Sequence, residues 1–351
     1  MVDLKDMTTE EIEQFFTEFG EKKFRGRQVF RWIYGRETDS ASDFSDMTDL
    51  SKELRERLAD SGAYISSMKI LKVQASKKDG TRKYLLGTGD GMAIETVFMK
   101  YKYGNSICVS SQAGCRMGCR FCASAEGGLK RGLTAGEIAD QILTVRRDTG
   151  ETINHVVIMG TGEPFDNYEQ VDRFLKIISA KEGIGMSLRN ITVSTCGLIE
   201  GIKRFTGEWP QVNLAISLHA PDDERRNEIM PVNRKCPVKE VVKAAGEHAE
   251  KTGRRVTFEY ALMDGFNDSI HDAEKLAGLL RGMLCHVNLI PLNKVRGSAY
   301  SGTGREIAEA FRVRLEAWGV PATIRRELGS DIDAACGQLR ASYSGTTTGV
   351  I

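Results

Sequence analysis

The sequence contains no long hydrophobic run and no apolar leader. No apolar stretch in its 351 residues approaches the roughly 18–20 residues that a membrane-spanning helix needs. The first residues, Met1 to Asp6, lack the apolar region of a secretion signal. These absences argue against a membrane protein and predict a cytoplasmic one. Hydrophobic residues make up 41% of the chain and charged residues 28%, as in an ordinary soluble globular protein.

An excess of charge of one sign is also absent. The chain has 49 basic and 48 acidic residues, a net charge of +1, so no global field attracts nucleic acid. Residues 22–36 differ locally, because they combine basic and aromatic residues with no acid. Cations neutralise phosphates and aromatic rings stack on unpaired bases, although an ordinary basic helix would pack such rings inward. This candidate RNA contact comprises Lys22, Lys23, Phe24, Arg25, Arg27, Phe30, Arg31, Trp32, Tyr34 and Arg36.

Eight cysteines are present, but tandem C-x2-C pairs, the usual mark of a zinc site, are missing. In a cytoplasmic chain, cysteines favour metal or redox chemistry over structural disulfides. Cys115, Cys119 and Cys122 form a C-x3-C-x2-C run with Phe121 before the last cysteine. Three thiolates on a cubane iron–sulfur cluster leave one iron open for a substrate or cofactor. The run resembles that of the radical S-adenosylmethionine (SAM) superfamily, which implies a [4Fe-4S] cluster; a partial zinc site and three unlinked thiols are the alternatives.

Strand and helix patterns alternate from residue 106 onward. Such alternation predicts parallel strands with right-handed crossovers, and six repeats are too few for a closed eight-fold barrel. We predict an α/β fold, a partial (βα)6 radical SAM barrel with a small N-terminal helical domain and a short β-rich connecting segment. The predicted strands are 106–112, 155–160, 190–195, 212–219, 255–262 and 286–292, with a short extra strand near 322–326. The predicted helices are 134–148, 167–181, 222–229, 238–251, 269–282 and 304–318.

Ahead of the barrel, the pattern changes from helical to extended. Helices are predicted from Thr8 or Thr9 to about Phe19, over 27–34 and over 50–58, and strands over 65–73, 82–86 and 92–101. The predicted domains are a helical RNA-binding accessory domain (1–60), a β-rich connector (61–104), a radical SAM core (105–340) and a C-terminal tail (341–351).

Polar residues follow several predicted strands, where barrels of this kind place their chemistry. Gly162 and Glu163 lie in Gly160-Thr161-Gly162-Glu163-Pro164 after the second strand. Glycine permits close backbone approach to a ligand, and a carboxylate can accept a hydrogen bond from an amino group. The run resembles the G-x-G-E-P motif that holds the SAM amine. Taken together, later strand ends predict a SAM pocket, although each alone is typical of a turn or cap; they are Ser194, Ser217, Leu218, His219 and Asn293.

Glu95, Cys108 and Cys336 stand outside these motifs. By default, a lone strand cysteine such as Cys108 is an inert core residue, and Glu95 is a strand carboxylate facing solvent. Cys108 precedes Cys115 by seven residues, which would place the two on opposite faces of an ideal strand. Cys336 lies in a run from Asp331 to Leu339 near the C-terminus. Cys196, Cys236 and Cys285 match no functional position and are interpreted as structural or free thiols.

A family resemblance joins these separate features. Glu95, Cys108, the three-cysteine run, Gly162-Glu163-Pro164, Ser217-Leu218-His219-Ala220 and the run from Asp331 to Leu339 occur in one order. Over nearly its whole length the chain resembles the RlmN/Cfr group of radical SAM enzymes, and in particular its dual-specificity rRNA/tRNA adenine-C2 methyltransferases. The resemblance implies methylation of C2 of adenosine 2503 in 23S rRNA and of adenosine 37 in some tRNAs.

The resemblance also implies a mechanism and partners. One SAM methylates Cys336, and a second is cleaved to a radical that activates this methyl group, so two SAM molecules are used per turnover. The methylene adds to adenine C2, Glu95 removes the C2 proton, and Cys108 attacks the Cys336 sulfur, releasing RNA and leaving a transient disulfide. The partners are 23S rRNA, tRNA and an electron donor such as flavodoxin or ferredoxin. A monomer is the default expectation.

Three alternatives stay open at this stage. The first is C8 methylation of the same rRNA adenine, as in the Cfr type, although Pro164 after Glu163 resembles the C2 type. The second is a non-methylating radical SAM enzyme, which would not need Cys108, Cys336 and Glu95 as a set. The third is a non-catalytic RNA-binding iron–sulfur protein, which would not need a SAM pocket.

Overall fold

Three helices form the N-terminal part of the computed structural model, which describes residues 1–35, 40–292, 300–329 and 331–332. They are α1 (Thr9–Glu18), α2 (Lys23–Tyr34) and α3 (Lys52–Asp60). Thr8 caps α1, because its hydroxyl accepts from the Glu11 backbone N–H (3.4 Å) and the Glu11 carboxylate accepts from the Thr8 N–H (2.9 Å). The predicted helices are therefore present, although α2 begins four residues earlier than predicted.

The aromatic residues of α2 lie mostly on its inner face. Phe30 and Tyr34 are fully buried and contact each other, and the Trp32 indole donates to Asp49 at 2.6 Å. Phe24 is 45% exposed. The inward-packing interpretation of the basic segment is therefore correct for Phe30 and Tyr34, and base stacking by these two rings is excluded. Arg36 lies outside the described residues.

One ten-stranded sheet contains both the predicted barrel strands and the strands of the connector. Its order is β14-β13-β12-β11-β10-β9-β6-β5-β4-β3. Within this sheet, β6 and β9 to β14 pair in parallel with one another, whereas β3, β4 and β5 extend the sheet beyond β6 by antiparallel pairing. The strands are β3 (Lys69–Ala75), β4 (Arg82–Gly87), β5 (Ala93–Tyr101), β6 (Gly104–Val109), β9 (His155–Ile158), β10 (Ile191–Thr195), β11 (Asn213–Ser217), β12 (Val256–Leu262), β13 (Cys285–Pro291) and β14 (Ala322–Ile324).

Two small strand pairs lie outside this sheet. β1 (Val2–Asp3) pairs with β2 (Ala63–Tyr64), and β7 (Gln112–Ala113) pairs with β8 (Arg131–Gly132). The helices of the core are α4 (Ala135–Thr149), α5 (Tyr168–Ser179), α6 (Ile199–Glu208), α7 (Asp223–Ile229), α8 (Val238–Thr252), α9 (Ile270–Leu280) and α10 (Arg305–Ala317). The predicted α/β partial barrel is confirmed. The division into four domains stays a prediction, and the tail 341–351 lies outside the described residues.

Helix α6 is not among the helices predicted from the sequence. Its first residues have no side-chain cap, and it contains Gly201 and Gly207, which weaken a helical pattern. The packing explains Gly201, because a Cβ there would lie 2.7 Å from the side chain of Phe165. Close contact between α6 and the loop after β9 therefore favours glycine despite its low helix propensity.

A buried ion pair fixes the N-terminal segment to the core. Lys5 Nζ lies 2.8 Å from Asp140 Oδ1 of α4, and both side chains are almost completely buried. The other Asp140 oxygen accepts from the Met68 N–H at 2.6 Å. On the neighbouring helix, Arg173 forms a bidentate pair with Glu11 of α1. No helix in the described part of the chain is long and apolar enough to cross a membrane.

Candidate active site

The loop that carries the three cysteines is attached at its base to the Gly-Glu-Pro motif. The Glu163 N–H donates to the Gln112 side chain (2.9 Å), whose amide NH2 donates to Asp166 (2.9 Å). Arg116, inside the loop, pairs with the same Asp166 carboxylate. Asn167 donates to the backbone carbonyl oxygens on both sides of the loop, those of Ser111 and Leu133. These hydrogen bonds therefore hold the two predicted cofactor-binding motifs, the cysteine loop and the Gly-Glu-Pro motif, against each other.

Cys115, Cys119 and Cys122 lie partly buried in the loop between β7 and β8. Burial raises the pKa of all three thiols, that of Cys115 to about 11, and the neighbouring thiols raise the pKa of Cys115 and Cys119 further. The described residues contain no group of three His, Cys, Asp or Glu side chains compact enough for a single metal ion. In a cubane cluster each thiolate binds a different iron, so the sulfurs need not converge on one point. The three thiols therefore fit a [4Fe-4S] cluster better than a zinc ion.

Glu163 is buried and held by backbone groups. One carboxylate oxygen accepts from the Phe165 N–H (3.0 Å) and the other from the Cys196 N–H (2.7 Å). Burial raises the pKa of Glu163, and these hydrogen bonds oppose that effect. Gly162, at φ +114°, is required by close packing, since a Cβ would lie 2.7 Å from Gln112 Cβ. The motif thus holds a carboxylate in one orientation beside the cysteine loop.

The other predicted pocket residues lie at the ends of two adjacent strands. Ser194 is in β10, paired in register with Ala215 of β11, and Ser217 is the last residue of β11. Leu218 is fully buried; its N–H donates to the Glu259 carbonyl, and its own carbonyl accepts from Arg226. The structure therefore brings these residues to the expected edge of the sheet. Asn293 lies outside the described residues.

His219 has a left-handed backbone with φ +57°, the only positive value among the described non-glycine residues. Its Nδ1 accepts from the Ala261 N–H at 2.9 Å, which leaves the ring proton on Nε2. Burial and nearby Arg226 lower the pKa of His219 to about 3. The ring contacts Phe121, the residue before the last cysteine of the run, with centroids 4.9 Å apart. His219 is therefore a neutral hydrogen-bond donor beside the cysteine loop.

Arg226 is a structural residue of the site that the sequence did not predict. Its guanidinium is fully buried in α7 and pairs with carbonyl oxygens rather than with a carboxylate. Burial lowers the pKa of Arg226. By linking the loops after β10 and β11, it fixes the two strand ends of the predicted SAM pocket. Its acceptors are the backbone oxygens of Cys196, Ser217, Leu218 and Cys236 and the side chain of Asn233, at 2.6–3.2 Å.

A cavity of about 330 Å³ brings together predicted residues from distant parts of the sequence. Glu95 of β5, Cys108 of β6, Cys122 and His219 all line it. Glu95 does not face solvent: it is 2% exposed and pairs with Lys83 Nζ at 3.1 Å. β6 ends at Val109, so strand alternation does not relate Cys108 to the cysteine loop. The alternative that Glu95 faces solvent is therefore wrong, and Cys108 lines a cavity; the catalytic roles of both residues stay predictions.

The remaining cysteines are buried. Cys196, Cys236 and Cys285 carry free thiols, and the cysteines in the described part of the chain form no disulfide. Cys336, the predicted partner of Cys108, lies outside that part.

Comparisons with known proteins agree with this geometry. The family model "Ribosomal RNA large subunit methyltransferase N-terminal domain" matches residues 2–64, and "Radical SAM superfamily" matches residues 109–277. A "Probable dual-specificity RNA methyltransferase RlmN" of Thermoanaerobacter pseudethanolicus is 49% identical over 343 residues, covering 98% of this chain and 99% of that protein. Its namesake from Pelotomaculum thermopropionicum is 51% identical over 340 residues, covering 97% and 91%.

A solved structure is also closely similar. A radical SAM methyltransferase from Sphaerobacter thermophilus superimposes with a TM-score of 0.91 at 44% identity, over 96% of this chain and 99% of that one. The partial barrel and its three-cysteine loop thus define a radical SAM protein. Within that class, identities of 49% and 51% over nearly the whole chain show that it belongs to the RlmN family of dual-specificity RNA methyltransferases.

Proposed function

We propose that this enzyme methylates C2 of adenine in RNA, on adenosine 2503 of 23S rRNA and adenosine 37 of tRNAs, through a methyl-Cys336 intermediate. The observation that carries the proposal is the shared cavity of Glu95, Cys108 and Cys122. It supports placing a base and a resolving thiol beside a cluster ligand. A non-methylating radical SAM enzyme would have no use for that combination.

Cys115, Cys119 and Cys122 would hold the [4Fe-4S] cluster, and Glu163, Ser194, Ser217, His219 and Asn293 would hold SAM. When bound, the cluster and SAM supply the one-electron chemistry that activates an otherwise unreactive carbon. The His219 Nε2–H is a donor suited to an acceptor atom of the cofactor, and the Leu218 side chain contributes apolar surface. We propose two SAM molecules per turnover, one for methylating Cys336 and one for activating the methyl group.

The protein residues carry the later steps. Once the Cys336 methylene is bonded to C2 and the adduct has given up its unpaired electron, which the cluster would accept, Glu95 takes the C2 proton. The Cys108 thiolate then attacks the Cys336 sulfur: an S–S bond forms, the S–CH2 bond breaks, and the released carbon takes up a proton to become the methyl group. Outside thiols reduce the resulting disulfide. A partly buried thiol and a buried carboxylate in one cavity suit this sequence, because bulk water has limited access to both groups.

C8 methylation of the same rRNA adenine is the second candidate. Pro164 follows Glu163 as the first residue of a 3-10 turn, and this proline favours the C2 type. The similarity to RlmN dual-specificity methyltransferases supports the same choice. We further propose flavodoxin or ferredoxin as the electron donor, a monomeric enzyme and a cytoplasmic location.

Deletion of the gene in its host tests the proposal. Mass spectrometry of digested 23S rRNA and tRNA is expected to show loss of 2-methyladenosine, restored by the wild-type gene but not by a Cys336→Ala gene. Unchanged 2-methyladenosine contradicts the proposal, and loss of 8-methyladenosine instead supports the second candidate. A Cys285→Ala gene is the matched control, since Cys285 lies at the start of β13, away from the cavity, and must restore methylation.

A further inference from the structure

The buried lysine Lys83 lies beside Glu95, the proposed base, and two strands away from Cys108, the proposed resolving thiol. Lys83 is in β4, fully buried, with its ammonium 3.1 Å from the Glu95 carboxylate. In an antiparallel sheet, residues directly opposite each other project to the same face. Lys83 is opposite Val97, and Val97 is opposite Cys108. Lys83, Val97 and Cys108 therefore form one cross-strand row on the cavity side of the sheet.

Glu95 belongs to the same face, because it precedes Val97 by two residues in β5. The cavity lining agrees, since Glu95, Val97 and Cys108 all contribute to it. The ammonium thus has the Glu95 carboxylate beside it and the Cys108 thiol two strands away. A buried cation must remain balanced, because an unpaired charge in an apolar interior is costly.

We infer that Lys83 is a positioning residue that links proton removal by Glu95 to the attack by Cys108. This inference rests on the proposed function and assigns an order to two of its steps. While Glu95 is ionised, the carboxylate balances Lys83. When Glu95 takes the C2 proton and becomes neutral, its negative charge is lost from the neighbourhood of Cys108, and the Lys83 ammonium then stabilises the Cys108 thiolate. The thiolate then attacks the Cys336 sulfur, with the bonds and proton as given above.

The charges around Cys108 agree with this order. Burial raises the pKa of the Cys108 thiol, whereas Arg325 and Lys83 lower it and the Glu95 carboxylate raises it. Protonation of Glu95 removes the opposing effect and leaves both cations acting on the thiol. Tyr101, which also lines the cavity, is a further titratable group that interacts with Cys108.

Lys83→Gln and Lys83→Arg variants test the inference. Glutamine keeps a hydrogen-bond donor to Glu95 but removes the charge, and arginine keeps the charge. With Cys336 methylated and the cluster assembled, one turnover on an RNA substrate is started and the covalent protein–RNA adduct is followed on denaturing gels. For Lys83→Gln we expect the adduct to decay about tenfold more slowly near pH 7, as for a thiol pKa raised by about one unit.

The pH dependence separates a charge effect from a structural one. In Lys83→Gln, the rate of adduct decay is expected to approach the wild-type rate at about pH 9, because the thiolate fraction of Cys108 rises with pH. Lys83→Arg is expected to keep the wild-type pH dependence. The matched control is Lys100→Gln in β5, whose half-exposed pair with Glu151 must leave adduct decay unchanged.

Wild-type decay and pH dependence in Lys83→Gln would overturn the inference. If that variant yields no cluster-bearing protein, Lys83→Arg decides, and a shifted pH dependence there overturns it. Failure of the proposed function gives a different pattern, since Cys108→Ala would then form no adduct at all. An adduct in Cys108→Ala with normal decay in Lys83→Gln removes only the role of Lys83.

Discussion

Two buried histidines show how packing fixes a protonation state at the scale of the residue. His219 accepts a backbone N–H at Nδ1, and His248 of α8 lies 2.9 Å from the Thr206 hydroxyl. Burial lowers the pKa of His219 to about 3 and that of His248 to about 4. Both rings are therefore neutral at physiological pH. The sequence located His219 by its motif, but its tautomer depends on the Ala261 N–H, which comes from a different strand.

The His248 environment predicts a pH-dependent stability. Its pKa is lower in the folded than in the unfolded protein, so the unfolded state binds more protons below about pH 6.5 and stability falls with falling pH. Between about pH 7 and pH 5, we expect His248→Asn to lose about 1–2 kcal/mol less unfolding free energy than wild type. Urea unfolding at both pH values measures this. His271→Asn, at an exposed position, is the control, and an unchanged slope in His248→Asn contradicts the assignment.

At the scale of the element, strand ends were predictable and helix faces were less so. Glycine and polar residues mark the ends of β9, β10 and β11, so Glu163, Ser194 and Ser217 could be placed at one edge of the sheet from sequence. Arg226 could not, because it lies in the charged run Asp222-Asp223-Glu224-Arg225-Arg226, which is typical of a solvated helix start. Only the packing of α7 against two strand ends turns this arginine inward. Similarly, the close packing of Phe165 favours glycine at position 201, and that glycine weakens the helical pattern of α6 in the sequence.

Arg226→Met is expected to destabilise the two strand ends that Arg226 joins. The substitution leaves several buried carbonyl oxygens without donors, at a cost of about 2–4 kcal/mol in unfolding free energy. SAM affinity, measured by calorimetry, is expected to fall as well, because Ser217 and the Glu163 partner Cys196 lose a shared anchor. Arg312→Met in α10, which removes exposed ion pairs, is expected to change stability by less than about 1 kcal/mol. Equal effects in the two variants would contradict the assignment.

At the scale of the whole molecule, one sheet connects the connector strands to the barrel. Sequence periodicity separated 61–104 from the core because its strands alternate with turns rather than helices. Strand pairing joins the connector to the barrel, because β5 pairs with β6. This pairing places Glu95 and Cys108 in the lining of one cavity. Such long-range pairing leaves no local signal. The N-terminal helices are joined to this body through the Lys5–Asp140 pair.

Asp140→Asn is expected to loosen the N-terminal helices. It leaves the Lys5 ammonium buried without its counter-charge, a loss of about 3–5 kcal/mol. Limited proteolysis is expected to cleave within residues 1–64 faster than in wild type, with the unfolding midpoint in urea lowered. Glu151→Gln, which breaks an exposed pair, is the control and must behave as wild type. Wild-type protease resistance in Asp140→Asn would show that other contacts hold the helices.

The most direct test of the central claim is the product that Cys108→Ala carries when purified from cells. We predict RNA covalently attached through Cys336, which nuclease digestion and mass spectrometry reduce to one adenosine linked at C2. The Cys285→Ala protein, prepared in parallel, is expected to be free of RNA. Cys108→Ala protein without attached RNA, from cells in which that variant fully methylates the target adenosines, would contradict the account.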